Sequence, residues 1–220
     1  MFTNVAVSND EVLSDTPYDA APVPTVQHAS LQLFIHAVVA GILASVVDDG
    51  IALLRSRDRS FSHALAERPT DDPLYQKQLG ELASTAYIAK AAVLDAAEAI
   101  AAATASEIDG VPDAQLAALP DARLAAVPDA RLAAVPDARL AAEAQLAVAK
   151  VKVHLDDVPP EAATRLPELG GASAARRQRN LDRHWRNIRT ITLHNPVAHK
   201  ARVIGQNLLH GTPVPANAYV

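Results

Sequence analysis

Residues 175–210, ARRQRNLDRHWRNIRTITLHNPVAHKARVIGQNLLH, restrict this chain more than any other stretch, because they read as two helices meeting at a fixed corner. Leu181, Trp185, Ile188 and Ile191 recur at steps of four, three and three, which predicts an apolar stripe on one helix face. Arg179, Arg183, Arg186 and Thr190 form the opposite face. Asn195 followed by Pro196 predicts a fresh start. The Asn side chain accepts from the free amides of a first turn, and proline at the first helical position loses no hydrogen bond. The second helix is expected to stop near Gly211. His194 then falls at the junction, just before a helix N-terminus whose partial positive charge favours anionic ligands and a neutral imidazole. Such a histidine is placed to face a cofactor or substrate.

The rest of the chain is also helical in pattern. Half of the residues are hydrophobic and only 4% are aromatic, the composition of an alanine-rich helical protein. A first helix is expected over residues 26–59. Its apolar run, residues 31–47, contains Gln32 and His36 and falls short of the roughly 20 residues that span a bilayer, so a buried bundle helix is expected there and no membrane. A second helix starts near Asp72 with Pro73 just inside it and runs to about residue 105, presenting Tyr75, Leu79, Leu82, Ala86, Val93, Ala97 and Ile100 on one face. The short connection makes the two antiparallel neighbours. Before them, Pro17, Pro22 and Pro24 keep residues 15–25 out of regular structure.

Between residues 111 and 142 stands a tandem octapeptide, VPDAQLAA, LPDARLAA and two copies of VPDARLAA. A proline in every unit predicts short turns of helix or disorder rather than one rod. Helical periodicity resumes over residues 137–158, and Pro159 and Pro160 are expected to interrupt it. Pro167 is expected in the turn before Gly170.

Several chemistries are disfavoured. The net charge of −5 argues against general nucleic-acid binding, so the arginines of residues 176–189 are expected to be salt partners between helices and subunits. With no cysteine there is no disulfide or thiolate chemistry. Asp48 with Asp49, and Asp156 with Asp157, are adjacent on helices, diverge by about 100°, and lack a histidine partner at metal-ligand spacing. No nucleophile elbow or phosphate loop is present.

LDRHWRNIRTITLHNP (181–196), with the loop LGGAS (169–173) before it, resembles the C-terminal domain of the acyl-CoA dehydrogenase superfamily. More narrowly it resembles the branch of reduced-flavin-dependent monooxygenases. RSRDRSF (55–61) is similar to the end of that domain's first helix, and FTNVAVSNDEVL (2–13) to the last strand of the superfamily's middle β-domain. The resemblance implies an all-α antiparallel helical bundle over residues 26–220, with residues 106–142 as a repeat-bearing insertion. Residues 1–25 would be the end of the β-domain and a linker, so that the N-terminal helical domain and most of the sheet would lie outside this chain.

The resemblance also implies the chemistry. The dehydrogenases carry a catalytic glutamate where Asn195 stands, and an amide accepts no proton at neutral pH. In the monooxygenase branch the histidine matching His194 assists oxygen activation at the flavin, so His194 is the expected catalytic residue. Arg59, Gly170, Gly171 and Ser173 are expected to contact the flavin, FMN or FAD, held largely by a neighbouring subunit. The implied assembly is a cytoplasmic homotetramer, fed by a separate flavin reductase and acting on a small organosulfur or related compound. The alternatives are a non-catalytic oligomerisation bundle, an acyl-CoA dehydrogenase-like protein, and a helical DNA-binding regulator using the arginine helix.

Overall fold

The computed structural model describes residues 8, 26–109 and 137–215. Its elements are α1 (Val26–Arg55), α2 (Pro73–Asp109), α3 (Ala138–Arg165), α4 (Asp182–Thr192) and α5 (Val197–His210), with 3-10 segments at Pro69–Asp71, Leu166–Ala175 and Arg177–Arg179. Among the described residues there is no strand. Apart from Ser8, the expected extended N-terminal segment lies outside the described residues, as do residues 110–136 of the expected insertion. The two ends of that insertion are helix instead, residues 106–109 finishing α2 and, in the fourth octapeptide, Asp137 capping α3 and residues 138–142 forming its start.

A seven-residue period builds the core. On α2 the fully inward residues are Leu82, Ala89, Ala96 and Ala103; on α1 one such row is Ala29, His36, Leu43 and Gly50, and on α3 it is Ala141, Val148, Leu155 and Ala162. Steps of seven keep one seam facing its neighbours along long helices, the pattern of shallowly crossed bundles. The alanines of α2 let the helices approach closely. Direction follows from the ends. Val26 packs with Ala103 and Ala144, whereas at the far end Gly50 meets Leu79, Leu166 and Leu169. α2 therefore runs antiparallel to both α1 and α3, as the short connection predicts for the first pair. α1 is long and apolar enough to cross a membrane by length and composition, but Leu33, Val39, Leu43, Val46 and Leu53 of one face belong to the bundle core.

Two boundaries differ from expectation. α1 ends at Arg55, four residues before the predicted end, and α3 runs straight through Pro159 and Pro160. An interior proline costs about 3 kcal/mol in lost bonding and crowding. Here Pro159 is itself buried, and Ala162, Ala163 and Leu166 in the next turn are core residues. Breaking the helix would expose that apolar surface, so burial holds the helix together against the prolines.

One part of the interior is polar. Lys152 is fully buried, and its Nζ donates to Asp156 Oδ2 at 2.8 Å. The other oxygen, Asp156 Oδ1, faces His36 Nε2 at 3.6 Å. His36 Nδ1 donates to the Gln32 carbonyl at 2.7 Å, and Gln32 Oε1, His36 Nε2 and Asp156 Oδ1 have no hydrogen-bond partner among the described residues. From α5, Lys200 enters beside this group and is likewise buried. Desolvation and repulsion from Lys152 push its pKa down to about 8, against the attraction of Asp156.

This arrangement fixes the sign of two outcomes. Lys200 has a folded-state pKa near 8 against an ordinary 10.5, so between those values the unfolded chain binds more protons and stability rises with pH. Urea unfolding should show that rise in the wild-type chain; Lys200→Met should abolish it and be more stable at neutral pH. Asp156→Ala strands the Lys152 charge in the core and should cost about 3–5 kcal/mol in the same measurement.

Candidate functional site

The segment that joins α3 to α4 is a folded turn rather than a loose loop. Leu166, Leu169 and Ala174 of Leu166–Ala175 are buried in the bundle core. They reach it because Gly50 on α1 has no side chain: a Cβ there would stand 2.9 Å from Leu169 Cδ1 and 3.2 Å from Leu79 Cδ1. Gly171 breaks the segment at φ 61, ψ −162, a backbone region that is essentially reserved for glycine. Beyond the turn come the exposed Arg176, Arg177 and Arg179, then Asn180 in the left-handed conformation at φ 47. The Asn180 carbonyl accepts from Arg183 at 3.0 Å and its side chain accepts from Arg186 at 3.0 Å, which starts α4 at a defined angle.

α4 is rotated from the orientation its apolar stripe predicts. Leu181, His184, Ile188 and Thr192 face inward, while Trp185 is 40% exposed. The reason is electrostatic. His184 Nε2 donates to Asp49 Oδ2 at 2.7 Å and Arg183 donates to the same oxygen, so one carboxylate on α1 fixes two successive residues of α4. Burial pushes the Asp49 carboxyl up, but the hydrogen bonds from His184 and Arg183 and the Arg183 charge outweigh it, leaving the pKa below the ordinary 3.8. Arg183 is thus the inter-helix salt partner expected of this helix, whereas Arg186 pairs with Asp182 at 3.0 Å within α4 itself. Sequence reasoning missed His184, although residues 181, 184, 188 and 191 fit helical spacing as well as the set containing Trp185 does.

At the other end of α4, His194 is exposed, and no side-chain partner engages it among the described residues. Its amide bonds to the Ile191 carbonyl at 3.1 Å, closing the corner. Asn195 does not cap α5. Pro196 is extended, with ψ 112, and is itself the residue before the helix, so Asn195 lies one position too far from the free amides. The C-terminal end follows expectation: Gly211 at φ 63 caps α5, and its amide bonds to the Asn207 carbonyl at 2.9 Å.

The residues expected at a flavin fall into two groups. Gly170 is buried, with a would-be Cβ only 3.1 Å from Leu53 Cδ2, so it shapes the turn from inside. Gly171 is half-buried against Phe61, Ser173 is exposed with its hydroxyl donating to the Gly170 carbonyl at 3.1 Å, and Arg59 is exposed without an ion pair among the described residues. Those four cluster at the end of α1. His194 lies at the far end of α4, which at 1.5 Å per residue is about 16 Å long.

Comparison with known proteins gives the arrangement its relatives. The family model for the acyl-CoA dehydrogenase C-terminal domain matches residues 113–199. The chain is 26% identical over 220 residues to a dibenzothiophene monooxygenase of Mycolicibacterium goodii, covering 97% of this chain and 47% of that protein. It is 25% identical to the probable FMNH2-dependent monooxygenase SfnC of Pseudomonas putida, covering 98% of this chain and 48% of that one. The crystal structure of TdsC from Paenibacillus sp. A11-2, in complex with FMN and indole, superposes with a TM-score of 0.68 at 25% identity, over 88% of this chain and 42% of that one. The chain spans about half the length of the relatives it matches.

The link between α1 and α4 makes a direct test possible. Asp49→Ala should cost about 2 kcal/mol in urea unfolding, the scale of hydrogen bonds to a charged group. Because the folded pKa of Asp49 is depressed, its contribution is full above about 3.8 and is lost as pH falls through the lower folded value; the variant should lack that part of the acid limb.

Proposed function

We propose, on the premise that this chain belongs to the acyl-CoA dehydrogenase superfamily through its C-terminal helical domain, that it is the C-terminal part of a reduced-flavin-dependent monooxygenase acting on a small organosulfur compound. Residues 1–25 carry the end of the β-domain and a linker, and residues 26–220 the bundle, with residues 106–142 inserted. The observation that carries this reading is the open corner at His194, with Asn195 beside it where the dehydrogenases hold a carboxylate. An amide cannot remove a proton from an acyl thioester, so an oxygenase role fits the corner better.

The donor set suits FMN. Arg59 offers a guanidinium that is unpaired among the described residues for a phosphate, and Ser173 and the backbone at Gly171 offer polar contacts of low bulk. Reduced flavin, when bound, supplies the electrons that activate dioxygen. His194 holds a ring nitrogen at the solvent-open corner, in position to give or take a proton, and Gly170 keeps the turn in register from beneath. The separation along α4 is compatible with a flavin site shared between subunits, the turn coming from one and the histidine from another.

A homotetramer accords with the outer faces of α1 and α2. They leave a cleft of about 570 Å³ lined by Ala37, Gly41, Ala44, Ala83 and Ala86, with Leu31, Phe34 and Ile88 also exposed on these helices. Small residues there allow another helix to approach closely. A cytoplasmic location and a separate reductase as electron source complete the proposal.

Flavin fluorescence decides the cofactor role. Titrating the chain into FMN should give saturable quenching, weakened about tenfold in Arg59→Ala, the equivalent of one charge-assisted contact. His194→Ala should bind FMN within about twofold of wild type, yet lower oxygenation of an organosulfur substrate about a hundredfold, the scale of lost acid–base catalysis. No saturable quenching at high protein concentration would leave the bundle as an oligomerisation module.

A further inference from the structure

We propose that Arg57 is the positioning residue of the glycine turn, fixing residues 169–171 in the form that the flavin reading above requires; its functional half rests on that reading. Arg57 acts from several sides at once. Its Nη1 donates to the Leu169 carbonyl at 3.1 Å and lies 3.4 Å from the Tyr75 hydroxyl. Its guanidinium carbon stands 5.1 Å from the centre of the Phe61 ring and 5.5 Å from that of Tyr75, within the range of cation–π attraction. Phe61 in turn fills the space at Gly171, where a Cβ would come 3.2 Å from Cζ.

One cation therefore joins the segment after α1, the first turn of α2 and the turn after α3. The turn needs such a fastening. Glycines at 170 and 171 leave the unfolded backbone freer than any other pair of residues would, and Gly171 occupies a positive-φ conformation beside which the bond from Ser173 to the Gly170 carbonyl is the local tie. A planar guanidinium can lie between two rings and still donate sideways to a carbonyl. An ammonium, with its compact charge, meets only part of that geometry. Arg59, two residues on, is exposed and engages no side chain among the described residues, so the arginine pair divides into an inward clamp and an outward ligand.

Limited trypsin digestion of the whole chain tests this, because the exposed Arg176, Arg177 and Arg179 follow the turn directly. Arg57→Met should speed cleavage at those sites about tenfold, the loss of a charge-assisted bond with its ring contacts, while cleavage at the exposed Lys77 and Lys90 of α2 stays at the wild-type rate. Arg57→Lys should restore part of the protection, and Arg59→Met should digest like wild type. If Arg57→Met does not fold, as judged by circular dichroism, Phe61→Leu serves the same comparison. Unchanged cleavage after the turn, or equal acceleration at Lys77 and Lys90, overturns the proposal. FMN titration of the same proteins separates the two readings: affinity should fall in Arg57→Met and recover partly in Arg57→Lys. Local acceleration with no FMN binding by any of them, wild type included, keeps the clamp and removes the flavin role.

Discussion

The close approach of α1 to the turn after α3, permitted by Gly50, is the constraint on which the rest of the structure depends. A side chain at that position would meet Leu169 of the turn and Leu79 of α2. With hydrogen there, Leu166 and Leu169 enter the core and the turn is drawn against α1. The residue before, Asp49, then reaches Arg183 and His184 and sets the rotation of α4. The packing of the turn and the orientation of the next helix are thus decided by two neighbouring residues, one through the absence of a side chain and the other through a charge. His194 inherits its place from both, since it stands at the end of the helix they orient.

The polar group within the bundle has a different logic. Lys152, Asp156, His36 and Lys200 contribute little net stability, because desolvation offsets their mutual attraction. What they provide is register. α5 has only two fully inward residues, Lys200 and Val203, so much of its inner surface is an amine that is seated beside the Lys152–Asp156 pair. A helix docked in this way has one correct position, where an apolar side chain would tolerate several.

Much of this was legible in the sequence, for reasons that can be traced to particular residues. The period of α2, the start at Pro73 and the end of α5 at Gly211 each rest on a local rule that tertiary packing had no reason to contradict. The failures share a cause. Pro159 and Pro160 read as a break, Trp185 read as core and Asn195 read as a cap, and in each case a partner distant in sequence decided otherwise: the burial around Leu166, the carboxylate of Asp49, the extended Pro196. The site was legible as a set of residue types but not as a geometry. The family resemblance put Arg59, Gly170, Gly171 and Ser173 at one flavin, yet could not reveal that Gly170 is packed from within, or that α4 separates the glycine turn from His194.

The closure between α2 and α3 has a consequence for how such a gene can vary. The backbone amide of Asp137 bonds to Ser106 Oγ at 3.1 Å, so the two helices are tied together on either side of residues 110–136, and the fourth octapeptide supplies the start of α3 with Ala141 in the core. With both ends already held by folded helices, gaining or losing one unit changes closure entropy only logarithmically, by well under about 1 kcal/mol. Slippage during replication would then alter copy number almost invisibly to selection on stability. The near-identity of the units is what such freedom leaves behind.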